Sequence, residues 1–389
     1  MREIYLDNSA TTRISEGALK RYNEVSREVY GNPSSLHSAG HAAERLLTDA
    51  RSAVRESIRA EGAEVIFTAS GSEANNLAII GRALSKERYR KNKKIITTLG
   101  EHASVREPLM HLSSLGFTVV EIPTVGGALD LERLRAELDG SVILVTLMMV
   151  NNETGAVYDL PAAARLVRAY APEALIHVDA TQGYMKIPFT KGGIGADMIT
   201  LSSHKIEGPK GVGALVVDKS VIKSKGLSPL IFGGGQEGGL RSGTENVPAI
   251  AAFAEAVREG SASMAERVKH IGALRDRLLT ALRTSGALSE ISPTLPAAHA
   301  PHIINLTLPG IKSETALHFL SSEGIFVSSG SACSSNSRAV SSALVAFGRS
   351  EGEADCSIRV SLSHRNTTED IDALAAALER ALVRLARVK

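Results

Sequence analysis

Ile176-His177-Val178-Asp179-Ala180-Thr181-Gln182 and, further on, Met198-Ile199-Thr200-Leu201-Ser202-Ser203-His204-Lys205 are two apolar runs that each end in charge. An apolar run closing on a charged residue reads as a buried strand whose C-terminal end faces a ligand, at the working edge of a parallel sheet. Five more runs of this kind lie at 64–67, 94–98, 118–122, 142–149 and 213–217, beside those at 175–178 and 198–201. Helical patterns separate them at 42–59, 75–84, 131–138 and 162–170. Seven such strands, apolar on both faces and alternating with helices, predict an α/β fold with a mostly parallel seven-stranded sheet. From Glu266 the character changes. Val268, Ile271, Leu274, Leu278 and Leu282 mark one face of an amphipathic helix, and strands at 302–308 and 357–361 alternate with helices at 314–323 and 369–388. A smaller α+β domain is expected there. The predicted division is a large domain over 15–260 and a small one made of 1–14 and 261–389.

The 389 residues carry 44 basic and 42 acidic side chains, a net charge of +2, so no broad field would attract nucleic acid or an anionic membrane. Trp is absent and aromatics are 4% of the chain, too few for a base-stacking platform. The longest apolar stretch, 142–150, is too short to span a bilayer, and the first residues lack the apolar segment of a secretory signal. Cys333 and Cys356 cannot form a disulfide framework or, with scattered histidines, a zinc site. An enzyme of the cytoplasm, without membrane or direct nucleic-acid partners, is the expectation.

Several motifs could carry chemistry. Asp179 at a strand end must meet a cation or strong donors, because burying a carboxylate alone is expensive; a helix N-cap is the structural alternative. Lys205, directly after a strand, is placed for desolvation, which lowers an amine's pKa and frees it as a nucleophile; the alternative is a solvated loop lysine. Ser202 and His204 beside it suit phosphate contacts. Ser202-x-x-Lys205 also has the spacing of serine β-lactamases, but their companion motifs are missing. Phe67-Thr68-Ala69-Ser70-Gly71-Ser72-Glu73 reads as strand, turn and capped helix start, an anion cradle of unbonded N–H groups. Gly233-Gly234-Gly235-Gln236-Glu237-Gly238 fits G-x-G-x-x-G, yet no helix opens after it, so a loop reaching a ligand or a partner subunit is the better reading. Cys333, among small polar residues, is expected on an exposed loop with its thiol available. Cys356, ahead of an apolar strand, is expected to be structural.

Lysine, aspartate and phosphate cradle together are the parts that hold pyridoxal 5'-phosphate. Here the sequence closely resembles the NifS/IscS-like cysteine desulfurases, of the class V aminotransferase family of fold-type I enzymes. The motifs that carry the resemblance run along nearly the whole chain: Tyr5-Leu6-Asp7-Asn8, Asn32-Pro33-Ser34-Ser35, Glu101-His102, Val150-Asn151-Asn152-Glu153, Ser203-His204-Lys205, Gly208-Pro209-Lys210-Gly211, Arg241-Ser242-Gly243-Thr244 and Gly330-Ser331-Ala332-Cys333-Ser334. The resemblance implies that Lys205 is the Schiff-base lysine and proton shuttle, Asp179 pairs with the ring nitrogen, Gln182 bonds the phenolic oxygen and His102 stacks on the ring. It assigns the phosphate to Ser72, Ser202 and His204, with Thr244 reaching in from the other subunit of a homodimer. Asn152 and Arg359 would bind the substrate carboxylate, and Cys333 would take sulfur from L-cysteine as a persulfide, releasing L-alanine. Ser9, Ala69 and Ser72 depart from the commoner residues of relatives, though position 72 keeps its hydroxyl. The long segment from Cys333 to Arg359 suits direct delivery of sulfur. The end at Lys389, short of a scaffold-docking tail, leaves an iron–sulfur scaffold, a tRNA-thiolation protein and a dedicated pathway all open as acceptors. An aminotransferase would have no use for Cys333, a selenocysteine lyase would share nearly every motif, and a non-catalytic subunit would need none of them.

Overall fold

The structure, a computed structural model, describes residues 2–85, 93–329 and 340–385. Its first half runs β1 (Ile4–Tyr5), α1 (Glu16–Glu28), α2 (Ser38–Ser57), β2 (Ala63–Thr68), α3 (Gly71–Ala83), β3 (Lys94–Thr98), α4 (Ala103–Ser114) and β4 (Thr118–Ile122). Then come α5 (Leu131–Glu137), β5 (Val142–Met148), α6 (Leu160–Tyr170), β6 (Leu175–Asp179), α7 (Lys191–Ile194), β7 (Met198–Ser202), β8 (Gly213–Asp218) and α8 (Lys219–Lys223). The long α9 (Val247–Thr284) leads to β9 (Ser292–Thr294), β10 (Ile303–Thr307), α10 (Ser313–Ser322), β11 (Ile325–Phe326) and β12 (Ser328–Ser329). Short helices α11 (Ser342–Phe347) and α12 (Glu351–Asp355), strand β13 (Ser357–Ser361) and helix α13 (Thr368–Leu385) follow.

Seven strands form the main sheet in the order β2-β8-β7-β6-β5-β3-β4. Only β8 runs against its neighbours β2 and β7. The chain between Ser202 and Gly213 is too short for the crossover that a parallel neighbour needs, so it turns back instead. Both faces are covered, which is why the strands read apolar throughout. Val65 and Phe67 face the core under α2 and α9, while Ile66 between them joins the core under α3 and α4. The ends of the parallel strands therefore gather on one edge, where β6 ends at Asp179, in register with Thr200, and β7 ends two residues further on at Ser202.

A second apolar cluster joins Ile4 and Leu6 with Leu306, Ile358, Leu374 and Leu378 around the antiparallel sheet β12-β13-β10-β9. Helix α9 belongs to both cores. Val247, Ile250, Phe253 and Val257 pack under the main sheet, and Ile271, Leu274, Leu278 and Leu282 pack in the second cluster. The division expected at residue 260 thus falls inside one continuous 38-residue helix. Only its second half was legible as a helix. The opening stretch, 247–254, is apolar all round, since α1 and α2 cover the side that water would otherwise meet. Among the described residues, no helix is long and apolar enough to cross a membrane.

Candidate active site

Five loops at the working edge of the main sheet enclose a cavity of about 270 Å³, and Lys205 stands in its wall. A short helical turn at Ser203–Lys205 carries the lysine off the end of β7. Its Nζ donates to the backbone oxygens of Ser9 (2.6 Å) and Ala10 (2.8 Å), so the N-terminal segment lies across the amine. Asp179 closes β6. One of its carboxylate oxygens accepts from Asn75 Nδ2 at 2.8 Å and the other from Thr181 N at 3.0 Å. Each oxygen keeps a donor, which makes burial of this charge tolerable.

Helix α3 opens at the cavity. Ser70 caps it by accepting from Glu73 N, while Glu73 reaches back to Ala69 N rather than to Ser70 N, a displaced version of the expected reciprocal cap. The N–H groups of Gly71 and Ser72 have no partner within the helix and line the cavity. Gly71 is needed for this approach: a Cβ there would stand 3.2 Å from Ser202 Cβ and 3.3 Å from Thr181 Oγ1. His102 caps α4, its Nδ1 within hydrogen-bond range of Ser104 N and Oγ. Burial holds the His102 pKa below its usual value, with Asp179 opposing and Lys205, Arg106 and Arg359 adding to the depression. His204 is pushed down to about 4, by burial first and then by Lys205 and Lys210. Both imidazoles are therefore neutral at pH 7.

Pyridoxal phosphate can be tested against these atoms. The cradle is bare of any Cβ at Gly71, an anion-seeking helix start faces it, and a carboxylate and an amine flank it on adjacent strands. Gln182 donates through Nε2 to Ser9 O, leaving its buried Oε1 without a protein partner; Ser9 Oγ is equally unpartnered. The donor set fits a phosphorylated, hydrogen-bonding heteroaromatic group. The aminotransferase class-V family profile matches residues 4–374. The chain belongs to that family, in its NifS/IscS-like cysteine desulfurase branch.

A cysteine desulfurase of Cereibacter sphaeroides is 40% identical over 383 residues, covering 96% of this chain and 94% of its own. The relative named cysteine desulfurase IscS 1, from Archaeoglobus fulgidus, is 36% identical over 383 residues, covering 98% and 97%. A solved NifS-like protein superposes with a TM-score of 0.90 at 34% identity, over 98% of this chain and 100% of that one. The chain is accordingly a fold-type I, pyridoxal phosphate-dependent class-V enzyme.

Of the residues expected at the site of this class-V enzyme, Ser72, His102, Asn152, Asp179, Gln182, Ser202, His204 and Lys205 line the one cavity. Arg359 stands beside it on β13, donating to Asn152 O at 2.9 Å and to Asp7 Oδ1 at 2.9 Å, with its Nε unpartnered. Thr244 lies elsewhere, in a separate cavity with Phe67, Thr68 and Arg241. Cys333 lies outside the described residues. Cys356 caps the end of α12, and burial raises its thiol pKa, with Asp355 adding to it.

Sequence reasoning passed over Asn75, Thr181, Ser9 and the Asp7–Arg359 pair. Asn75 had a signal: it is a polar residue on the face of α3 that otherwise carries Ala74, Leu77 and Ala78 into the core. Glu101, beside His102, is a further residue whose role the sequence does not reveal. It accepts from Thr98 Oγ1 and Met148 N through one oxygen, while the other is buried and unpartnered. Burial pushes its pKa up to about 8, so it stays protonated at neutral pH.

Proposed function

We propose that this class-V enzyme takes sulfur from L-cysteine, leaving L-alanine and a persulfide on Cys333. The observation that carries this reading is the placing of Asp179 and Lys205 at neighbouring strand ends around one cradle, in a chain similar over its whole length to cysteine desulfurases. When bound, pyridoxal phosphate supplies the electron sink that lets a substrate carbanion form. The other roles belong to the chain. Gly71, Ser72, Ser202 and His204 hold the phosphate, with Thr244 contributed by the second chain of a homodimer. Asp179 holds a proton at the ring nitrogen, because its charge is buried and already supplied with two donors. Gln182 bonds the phenolic oxygen, and His102 stacks on the ring.

Arg359 grips the substrate carboxylate with the help of Asn152; a guanidinium fork matches both oxygens at once. Asp7 and the Asn152 carbonyl fix the fork in place before substrate arrives. The Lys205 amine moves the proton at the substrate α-carbon. Neutral His102 can accept the thiol proton that must leave before sulfur attack, since the thiolate is the nucleophile. Cys333 Sγ then bonds to the substrate sulfur. The carbon–sulfur bond breaks, its electron pair stays with Cβ, and a proton completes the methyl group of alanine. Sulfur leaves as a persulfide on Cys333, and an iron–sulfur scaffold or a tRNA-thiolation protein in the cytoplasm would accept it.

Incubation with L-cysteine, scoring alanine and protein-bound persulfide together, tests the reading. Equal amounts in the first turnover are expected. Keto acid in place of alanine would make the protein an aminotransferase, and release of selenide from selenocysteine far faster than sulfide from cysteine would make it a selenocysteine lyase.

A further inference from the structure

Two residues beyond Lys205, Glu207 occupies a left-handed backbone conformation at φ +68°, which residues with a side chain rarely adopt. That backbone is held by the N-terminal segment: Glu207 N donates to Thr12 Oγ1 at 2.8 Å, and its carbonyl accepts from Ser15 N at 2.8 Å. The turn so formed aims the side chain inward, where it is only 7% exposed. There its two oxygens are shared between two arginines, with a histidine beside them. Arg267 on α9 donates to one at 2.9 Å, Arg365 beyond β13 to the other at 2.7 Å, and His364 Nδ1 stands 3.8 Å away.

This cluster borders the active site. A small cavity of about 30 Å³, room for a water or two, is lined by Glu207, Lys186, Arg267, His302 and His364, and also by Lys205. Lys205 is thus a wall common to that cavity and to the cofactor cradle. His302 is fully buried with both ring nitrogens unpartnered, so the space is polar as well as charged. Burial lowers the Lys186 pKa to about 8, against the pull of Glu207. The mechanism above uses none of these groups except Lys205.

Two routes run from Glu207 to Arg359. One follows the side chain through Arg365 and back four residues to the end of β13 and its neighbour Arg359. The other follows the backbone through Thr12 to the segment that places Ser9 and Ala10 on the Lys205 amine and Asp7 on the Arg359 guanidinium. We propose that Glu207 is a positioning residue for the desulfurase reaction: it ties the turn bearing Lys205 to the strand bearing Arg359 and sets the local charge behind the lysine. This inference rests on the proposed function for its substrate.

The groups that face Lys205 are Asp7 from the N-terminal segment, Asp179 from β6 across the cradle, the neutral imidazoles of His102 at the start of α4 and His204 in its own turn, and Lys186, Arg267 and Glu207 across the small cavity. Removing the Glu207 charge leaves the cationic members unbalanced and disfavours a proton on the lysine nitrogen. Removing Arg365 does the reverse. The experiment compares Glu207→Gln and Arg365→Gln holoenzymes by the pH midpoint of the visible band of bound cofactor and by steady-state kinetics with L-cysteine. The midpoint should fall in Glu207→Gln and rise in Arg365→Gln, each by roughly half a pH unit or more. In both, KM should rise about threefold to thirtyfold, the range for positions that couple two sites, with kcat changing less. Arg277→Gln, which removes a surface pair with Asp372, should move neither quantity.

Shifts of the same sign, no shift, or an unchanged KM in variants carrying full cofactor would overturn the proposal. Should Glu207→Gln not fold, Arg365→Gln and Arg267→Gln carry the test, both expected to raise the midpoint and KM. The midpoint needs only bound cofactor. A wild-type protein that binds cofactor but makes no alanine would contradict the desulfurase reading and leave the spectroscopic test of Glu207 standing.

Discussion

Asp179 and Lys205 show how a strand end places a charge, and Glu101 shows how burial tunes one. The first two were legible because a charge ending an apolar run is conspicuous, and the strand end fixes where it points. Their supports were not legible. Asn75 reaches Asp179 across 104 residues of sequence, and the Ser9 carbonyl reaches Lys205 across 196, separations at which one sequence holds no pairing signal. Glu101 carries a consequence for pH. Its carboxyl titrates near 8 when folded, against the usual value near 4.5, with burial as the main cause. Between those limits the native state keeps a proton that the unfolded chain has released, so this group's stabilisation is present below pH 4.5 and lost as pH rises towards 8. Glu101→Gln removes the titration while an amide oxygen can still accept from Thr98 and Met148 N. Thermal melts at pH 5, 6, 7 and 8 should show the variant gaining on the wild type with each step, by at most about 1.4 kcal/mol per unit. A difference independent of pH would contradict the assignment.

Among the elements, α3 connects fold to chemistry most directly. Its cap at Ser70 was readable from the Ser70–Glu73 spacing, and the structure keeps that cap while sending the Glu73 carboxylate one residue further, to Ala69, where Arg241 also pairs with it at 2.9 Å. Ser70→Ala should cost about 1 kcal/mol of stability, as cap removals do, and weaken cofactor binding because the first turn frays where Gly71 and Ser72 face the cradle. Titrating cofactor-free protein by its visible absorption would measure the second effect, and unchanged affinity would separate the cap from the cradle. The features that the sequence did not reveal share a physical origin. The opening stretch of α9, 247–254, has no polar face because helices cover it, and periodicity needs a wet side to be seen. The reversal of β8 leaves no trace in composition, since a strand apolar on both faces reads alike in either direction.

At the scale of the whole molecule, two apolar cores share one helix and meet around the catalytic edge of the main sheet. The class of fold was readable from alternation of strands and helices, whereas the meeting of Asp7, Arg359 and Glu207 with Lys205 depends on how the second core docks. Thr244 stands apart from its own chain's Lys205 cavity. The proposed homodimer, with its sites shared between chains, would account for that placing. Hybrids of Lys205→Ala and Thr244→Ala chains would then hold one intact site each, and mixing the two inactive or weakened proteins should restore activity; an active monomer on dilution would refute the sharing. The central claim is that cysteine activation by Lys205 is separable from sulfur removal by Cys333. It is tested most directly by adding L-cysteine to Cys333→Ala holoenzyme and measuring absorbance, alanine and persulfide in one sample. The account predicts a change of colour as substrate engages, no persulfide and almost no alanine, while Cys356→Ala turns over as the wild type does. Substantial alanine from Cys333→Ala, or a persulfide mapped to Cys356, would contradict it.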